Sequence, residues 1–596
     1  MSDDEMSLAV LRSAAMSDAA DVLYAGEPVP VDYNEASDEF IAKIRPLETD
    51  RARLVVGMRH HRSTDTWRCP ATRSQAAALS GVFGGRITPT ELCARYVSYL
   101  FNEEAHIIAK VVDERLYGFQ RTGVEYLLKA GSALLGDEMG SGKGIQAIEW
   151  MREISHYSSS PWNLVVAPSS MKYKWVEELN KWWPDAEAIA IDGSMAQRRK
   201  HIDSGRHDGP DPRVYVINYE SLRTHTKLFP GQTGKALTTK QKEENDLNDI
   251  CWATVVADEV HKIKGPKNLA TMAVKQMGEQ AEHRLALTGT PLLNSPDDLW
   301  SIMNFVAPRE YGSRNQFRNR YCNMSVGFHG GYENLGFKTE TMAEFDSFFQ
   351  PRFLRRTKTE VLPDLPLKAA VEYRILPMVG TQLAVYNALV KDMMVSIDDR
   401  LLIAENGLSL SLRLLQAACG VPVLNDDGEV TGIDSPSNKL TAIFDMLEDS
   451  PEEPLVIYAE SRKFIELVQR ELIAKGHNPG MVTGTVSAQD RARDIERFQN
   501  GDTNIMLGTI GAGAEGITLT RARTIVLAQQ SWSHAKNAQA IDRVHRIGQT
   551  RGVNPIVFIS EGTLDVAVAM VDKDKEGRLQ ELVRDPAWLK KAAKGL

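Results

Sequence analysis

Leu135-Gly-Asp-Glu-Met-Gly-Ser-Gly-Lys143 closes an apolar run with a glycine-rich turn and a lysine. Gly140 and Gly142 admit backbone angles closed to other residues, so consecutive N–H groups can face phosphate oxygens while Lys143 reaches the outer phosphates. Asp137, Glu138, Met139 and Ser141 complete that cradle. Position 144, where such loops carry a Ser or Thr hydroxyl for Mg²⁺, is Gly144. Further on, Val255-Val-Ala-Asp-Glu-Val-His261 is an apolar run ending in two acids, as expected of a buried parallel strand that delivers carboxylates to the sheet edge where phosphates sit. Asp258 there is placed to hold Mg²⁺, directly or through water, and Glu259 to polarise the water that attacks a γ-phosphate.

A third constellation, Gln539-Ala-Ile-Asp-Arg543-Val-His-Arg546-Ile-Gly-Gln549, sets Arg543 and Arg546 three apart, on one face of an expected helix. Planar guanidinium groups suit the charge that develops on phosphate oxygens in a transition state. Each motif alone has an ordinary reading: a turn before a helix, a solvated acidic pair, an exposed basic helix face. Their succession along one chain favours a nucleotide-hydrolysing site.

In this order the motifs resemble those of the Snf-type DNA translocases of the superfamily-two helicases, best known from chromatin remodellers, from about residue 115 to about residue 565. The resemblance rests on Gly118-Phe-Gln-Arg-Thr-Gly-Val124, with Gln120 in the adenine-reading position, and on Asp137 through Gln146, which departs from the family only at Gly144. It continues through Leu164–Ser170, Val216–Ser221, Asp258–His261, Leu287–Asn294, Gly508–Thr518 and Gln539–Gln549. It implies two RecA-like doubly wound α/β lobes, ATP and Mg²⁺ as cofactors, and double-stranded or forked DNA as partner. It also implies nucleotide contacts at Gly513 and Gln539, and DNA contacts at Ser169 and Asn218 in the first lobe and at Thr509 and Trp532 in the second. Trp532 is either a wedge against the strand or packing beneath the following helix. Tyr311-Gly-Ser through Phe317 to Arg320-Tyr-Cys322, with Arg543–Gln549, looks most like the small annealing-helicase branch that rewinds forked DNA.

Two functional readings follow. In the first, the chain is an ATP-driven translocase in which Asp258 and waters complete the metal shell despite Gly144. In the second, the missing hydroxyl has cost hydrolysis and leaves a nucleotide-dependent DNA clamp. Retention of Lys143, Asp258, Glu259, Arg543 and Arg546 favours the enzyme.

The elements that must position these residues call for several cores, and 596 residues with 43% hydrophobic content suit three or four domains. Residues 1–50 are acidic and read as partly disordered. Residues 51–110 read as a small accessory module: a strand over Arg51–Met58, a second over Thr66–Pro70, and a helix from Ser74, its cap, to Val82 before Gly84. There Arg59, His60, His61 and Arg62 with Trp67 make either a nucleic-acid patch or a solvated turn over a core tryptophan. Lobe one is expected over 111–308 with a polar insertion near 231–248, a protrusion and basic crossing segment over 309–367, the start of lobe two with a helical protrusion over 368–437, its core over 438–563, and a C-terminal brace over 564–596. Arg352-Phe-Leu-Arg-Arg-Thr-Lys358 offers four cations to DNA phosphates or to a link between the lobes.

Five scattered cysteines, with no C-x-x-C pair, suggest neither a zinc module nor disulfides. An acidic start and the lack of an apolar run near 18 residues suggest a soluble intracellular monomer with no membrane partner, nucleoid-associated in a bacterial or viral setting and nuclear in a eukaryote. A net charge of -9 leaves room for a local basic groove.

Overall fold

The computed structural model describes residues 28–570 except 102–112, 205–210, 227–245, 266–267, 290–295, 327–331, 399, 405–406 and 514–516. Most of the expected polar insertion and all of the C-terminal brace beyond residue 570 lie outside these residues. Two compact units divide between Thr357 and Lys358.

The first unit opens with a five-stranded mixed sheet of β1 (Val29–Asn34), β2 (Glu39–Ala42), β3 (Arg59–His61), β4 (Thr66–Pro70) and β5 (Ile87–Pro89), ordered β3-β4-β2-β1-β5. Two expectations are corrected here. The described module begins by residue 29 rather than 51, because β1 and β2 alternate buried and open side chains, and Val29, Val31, Phe40 and Ala42 supply the module's core. Nor is Arg51–Met58 a strand. It is a helical turn, Thr49–Ala52, followed by irregular chain in which Val55, Val56 and Met58 are buried all the same. Gly57 breaks the extended path at φ +87°, and a Cβ there would lie 2.3 Å from the carbonyl oxygen of Glu310.

The helix Arg73–Phe83 is capped by Thr72, whose hydroxyl accepts from the Gln75 N–H at 3.3 Å, in place of the expected Ser74, and it ends at Gly84. It packs on the helix Met342–Phe349. At the crossing Gly81 faces the Glu344 carboxylate, which Arg320 and the Tyr321 hydroxyl hold from the other side. Gln75 Nε2 donates to the carbonyls of Val56 at 2.9 Å and Glu310 at 2.6 Å. The module, the protrusion and one face of the next sheet therefore share a single apolar cluster.

That next sheet comprises β6 (Ala133–Leu135), β7 (Trp162–Ala167), β8 (Glu187–Ala190), β9 (Arg213–Asn218), β10 (Trp252–Ala257) and β11 (Ala281–Leu287). After a hairpin of β12 (Cys322–Val326) and β13 (Tyr332–Phe337), β14 (Phe353–Leu354) returns to its edge. All seven strands are parallel in the order β14-β6-β11-β10-β7-β9-β8. Helices cover both faces, which is why the central strands read as unbroken apolar runs: Val255 and Ala257 enter one cluster and Val256 the other.

In the second unit β15 (Glu372–Leu376) leads to two hairpins, β16 (Met394–Ile397) with β17 (Arg400–Ile403) and β18 (Val421–Leu424) with β19 (Val430–Asp434). The expected helical protrusion thus carries hairpins among its helices Gly380–Asp392 and Gly407–Ala417. The core sheet adds β20 (Leu455–Ala459), β21 (Gly480–Val482), β22 (Ile505–Thr509), β23 (Thr524–Gln529) and β24 (Asn554–Ser560). It is parallel in the order β15-β24-β23-β20-β22-β21, with apolar clusters on both faces. Both lobes thus have the expected parallel α/β architecture.

Candidate nucleotide and DNA site

Parallel strands deliver their following loops to one sheet edge, so the phosphate loop after β6, the acid pair after β10, Thr288 after β11, Ser169 beyond β7 and Asn218 at the end of β9 all gather at the carboxyl edge of the first lobe. Gly140 and Gly142 take φ of +82° and +78°, as the turn requires. Gly142 has a second reason to lack a side chain, since its Cβ would lie 2.4 Å from Gln120 Nε2. Gln120 is buried at the start of the helix Gly118–Ala130, and its Oε1 accepts from the Tyr117 N–H at 3.0 Å.

Lys143 opens the helix Lys143–Ser155 and donates Nζ to the loop carbonyls of Asp137 at 2.8 Å and Glu138 at 3.2 Å. Burial pushes its pKa down, while Glu259, Asp137 and Asp258 counter that. Met139 and Ser141 are buried, and Gly144 is partly open.

The Asp137 carboxylate faces protein and not a phosphate. It is fully buried, with Arg356 Nη2 at 2.6 Å from Oδ2, Arg356 Nε at 3.1 Å from Oδ1 and Gln146 Nε2 at 3.4 Å. The crossing segment's three arginines are likewise committed within the first unit. Arg352 pairs with Glu310, and Arg355 Nη1 donates to the carbonyls of Gly136 at 2.8 Å and Gly289 at 3.3 Å. These arginines, which the sequence offers either to DNA phosphates or to a link between the lobes, clamp β14 and the phosphate loop to the sheet.

Asp258 directly follows β10, with its carboxylate held on both oxygens. Oδ1 accepts from the Glu259 N–H at 2.9 Å and Oδ2 from the Trp175 indole N–H at 2.8 Å. Burial, then the Glu259 charge, pushes its pKa up to about 6, against the pull of the indole N–H and Lys143. Glu259 sits at φ +49°, ψ 51°, a left-handed conformation costly for a residue with a Cβ and one that gathers at functional sites. Its Oε2 lies 3.2 Å from His261 Nδ1. Among the described residues no three His, Cys, Asp or Glu side chains cluster as a metal site.

The two lobe-one residues implied in DNA contact come together. Asn218 Nδ2 lies 3.2 Å from Ser169 Oγ and 3.0 Å from Glu220 Oε2. The intervening Tyr219 donates its hydroxyl to the Asp258 carbonyl at 2.6 Å, joining this loop to the acid pair. The coupling motif Leu287–Asn294 is described only to Gly289.

In the second unit Thr509 ends β22, and Gly513 lies against the Tyr458 ring, which a Cβ would approach to 2.5 Å. Gln539 is buried on the helix His534–Ile541, and Trp532 stands 45% exposed just ahead of that helix. Arg543 and Arg546 do not share a helix face. The helix stops at Ile541, and residues 542–549 turn around Gly548 at φ +98°. Gln549 pins the turn by donating to the carbonyls of Ala522 at 2.7 Å and Val544 at 3.1 Å, and Arg546 Nη1 donates to Ile517 O at 2.9 Å. Lys358, the last cation of the crossing segment, anchors the same turn through Asp542 and the His545 carbonyl, each at 2.8 Å.

Trp175, Tyr219, Arg355 and Arg356 are absent from the sequence-derived site. Tyr219 falls within the motif Val216–Ser221 and the two arginines within the basic run of the crossing segment, but neither run says anything of its partners.

Residues 119–422 match the SNF2-related domain and residues 438–548 the helicase conserved C-terminal domain. The chain belongs to the SNF2-related family. It is 28% identical to the DNA annealing helicase and endonuclease ZRANB3 of Mus musculus, over 80% of this chain and 41% of that protein. It is 30% identical to the Zorya protein ZorD of Escherichia coli O139:H28, over 74% of this chain and 42% of that one. The solved SWI2/SNF2 ATPase core domain of Sulfolobus solfataricus is 25% identical, with 81% of this chain and 93% of that chain covered and a TM-score of 0.36. The chain spans about two fifths of the length of these curated relatives. Among the described residues no helix is long and apolar enough to cross a membrane.

Proposed function

We propose that this chain is a DNA-dependent ATPase that moves along double-stranded or forked DNA and remodels or reanneals forks. The observation that carries the reading is the convergence of Lys143, Asp258 and Glu259 at one sheet edge, with the strained Glu259 held beside a carboxylate whose two oxygens are already oriented. Lys143 would hold the outer phosphates. Bound Mg²⁺, held by Asp258 together with phosphate oxygens and water, would neutralise charge developing on the γ-phosphate. Glu259 would orient the attacking water and accept its proton. Arg543 and Arg546 are proposed to supply transition-state charge, Gln120 and Gln539 to contact the nucleotide, and Ser169, Asn218, Thr509 and Trp532 to contact the DNA backbone without reading sequence. The fork-remodelling part rests on the likeness to an annealing helicase.

Phosphate release by the purified chain tests this. Duplex and forked DNA should stimulate turnover more than single strands, regardless of sequence and with strong weakening by salt. Nucleotide-dependent DNA binding without any hydrolysis would establish the clamp reading instead, and robust unwinding of a long duplex would remove the translocase reading.

A further inference from the structure

Trp175 lies in the first turn of the helix Lys172–Trp182 and is 4% exposed. Among the described residues it is the one side chain that donates a hydrogen bond to the Asp258 carboxylate, at 2.8 Å from Oδ2. The same ring covers Gly144: a Cβ built there would stand 3.9 Å from Trp175 Cζ2 and Cη2, an ordinary contact. The residue that lacks the family's hydroxyl and the acid that must carry the metal therefore meet through one indole.

We propose that Trp175 is the positioning residue of the metal site, orienting the Asp258 carboxylate where no hydroxyl at position 144 assists it. The inference rests on the nucleotide reading above. Each carboxylate oxygen has about two acceptor sites, and the indole and the Glu259 N–H occupy one apiece. The remaining sites stay open for a cation or its waters. An indole N–H donates and cannot accept, so it cannot rotate into a competing role as a hydroxyl can. Ligands oriented by such an outer partner bind their metal more tightly.

Equilibrium titration of the full chain with a fluorescent ADP analogue, with saturating Mg²⁺ and with EDTA, tests the role apart from turnover. In the native protein Mg²⁺ should tighten binding. Trp175→Phe should weaken Mg²⁺-supported binding about tenfold while leaving binding in EDTA unchanged. Replacing residue 175 by 3-benzothienylalanine, which keeps the ring shape and exchanges N–H for sulfur, should reproduce that loss and guards against a Phe variant that fails to fold. Adding Gly144→Ser to Trp175→Phe should restore the Mg²⁺ gain by supplying the missing hydroxyl. Either ring variant keeping the native Mg²⁺ gain, or losing affinity equally with and without Mg²⁺, overturns the proposal, as does failure of Gly144→Ser to restore it. A native chain that binds no nucleotide would remove the site reading itself, an outcome visible before any variant is made.

Discussion

Removing Arg356 should unfasten the phosphate loop. In Arg356→Ala the Asp137 carboxylate, 0% exposed, loses contacts at 2.6 and 3.1 Å and keeps only a backbone N–H and a 3.4 Å contact with Gln146. The carbonyl of Phe119 and Oε1 of Gln146 lose donors at 2.7 and 3.1 Å in the same step. Breaking a buried pair by deleting one partner costs about 3–5 kcal/mol, because the remaining charge is left dry and uncompensated. At about 2 °C per kcal/mol for a unit of this size, the first calorimetric transition should fall by about 6–10 °C. Asp137→Leu combined with Arg356→Met, which removes both charges and keeps apolar bulk, should recover most of the loss. Nucleotide affinity should drop in the single variant as well, because the Asp137 carbonyl is an acceptor for Lys143 Nζ. A shift under about 2 °C for Arg356→Ala, or a double variant no better than the single one, would refute the view that this pair holds the loop.

Glu259→Gln should retain ATP and DNA binding and lose turnover by at least about 10²-fold, since it removes the water-polarising charge at constant size; phosphate release near the native rate would contradict that role. Gly81→Ala should cost about 1–3 kcal/mol, read as a lower melting transition, because the new Cβ meets the Glu344 carboxylate while Arg320 and Tyr321 keep that carboxylate in place. His225 is fully buried, and burial with Arg198 and Arg199 nearby pushes its pKa down to about 4. The unfolded chain therefore binds that proton first, so stability held above about pH 6.5 should decline as pH falls toward 4, and His225→Asn should flatten the decline in melting-temperature scans.

The phosphate loop and the acid pair were legible in the sequence because their chemistry is local. Gly140 and Gly142 announce positive φ, and unbroken apolar runs such as Trp252–Ala257 announce strands buried on both faces, whose loops must emerge at a shared edge. Helix caps and ends were legible to within a few residues for the same reason, as Gly84 shows. What the sequence left open was every pairing across distance. Four cations in seven residues read alike as DNA contacts or as a lobe link, and only the fold shows Arg352 on Glu310, Arg356 on Asp137 and Lys358 on Asp542. Arg543 and Arg546 fit a helical period, yet a glycine turn pinned by Gln549 takes them out of the helix. Position 144 announced a missing hydroxyl, but Trp175 stands 83 residues before the acid it contacts. A helical or strand period reports which face of an element is apolar, whereas the partner of a buried charge is set by how distant elements pack, and that is decided only when the sheets and their covering helices close around it.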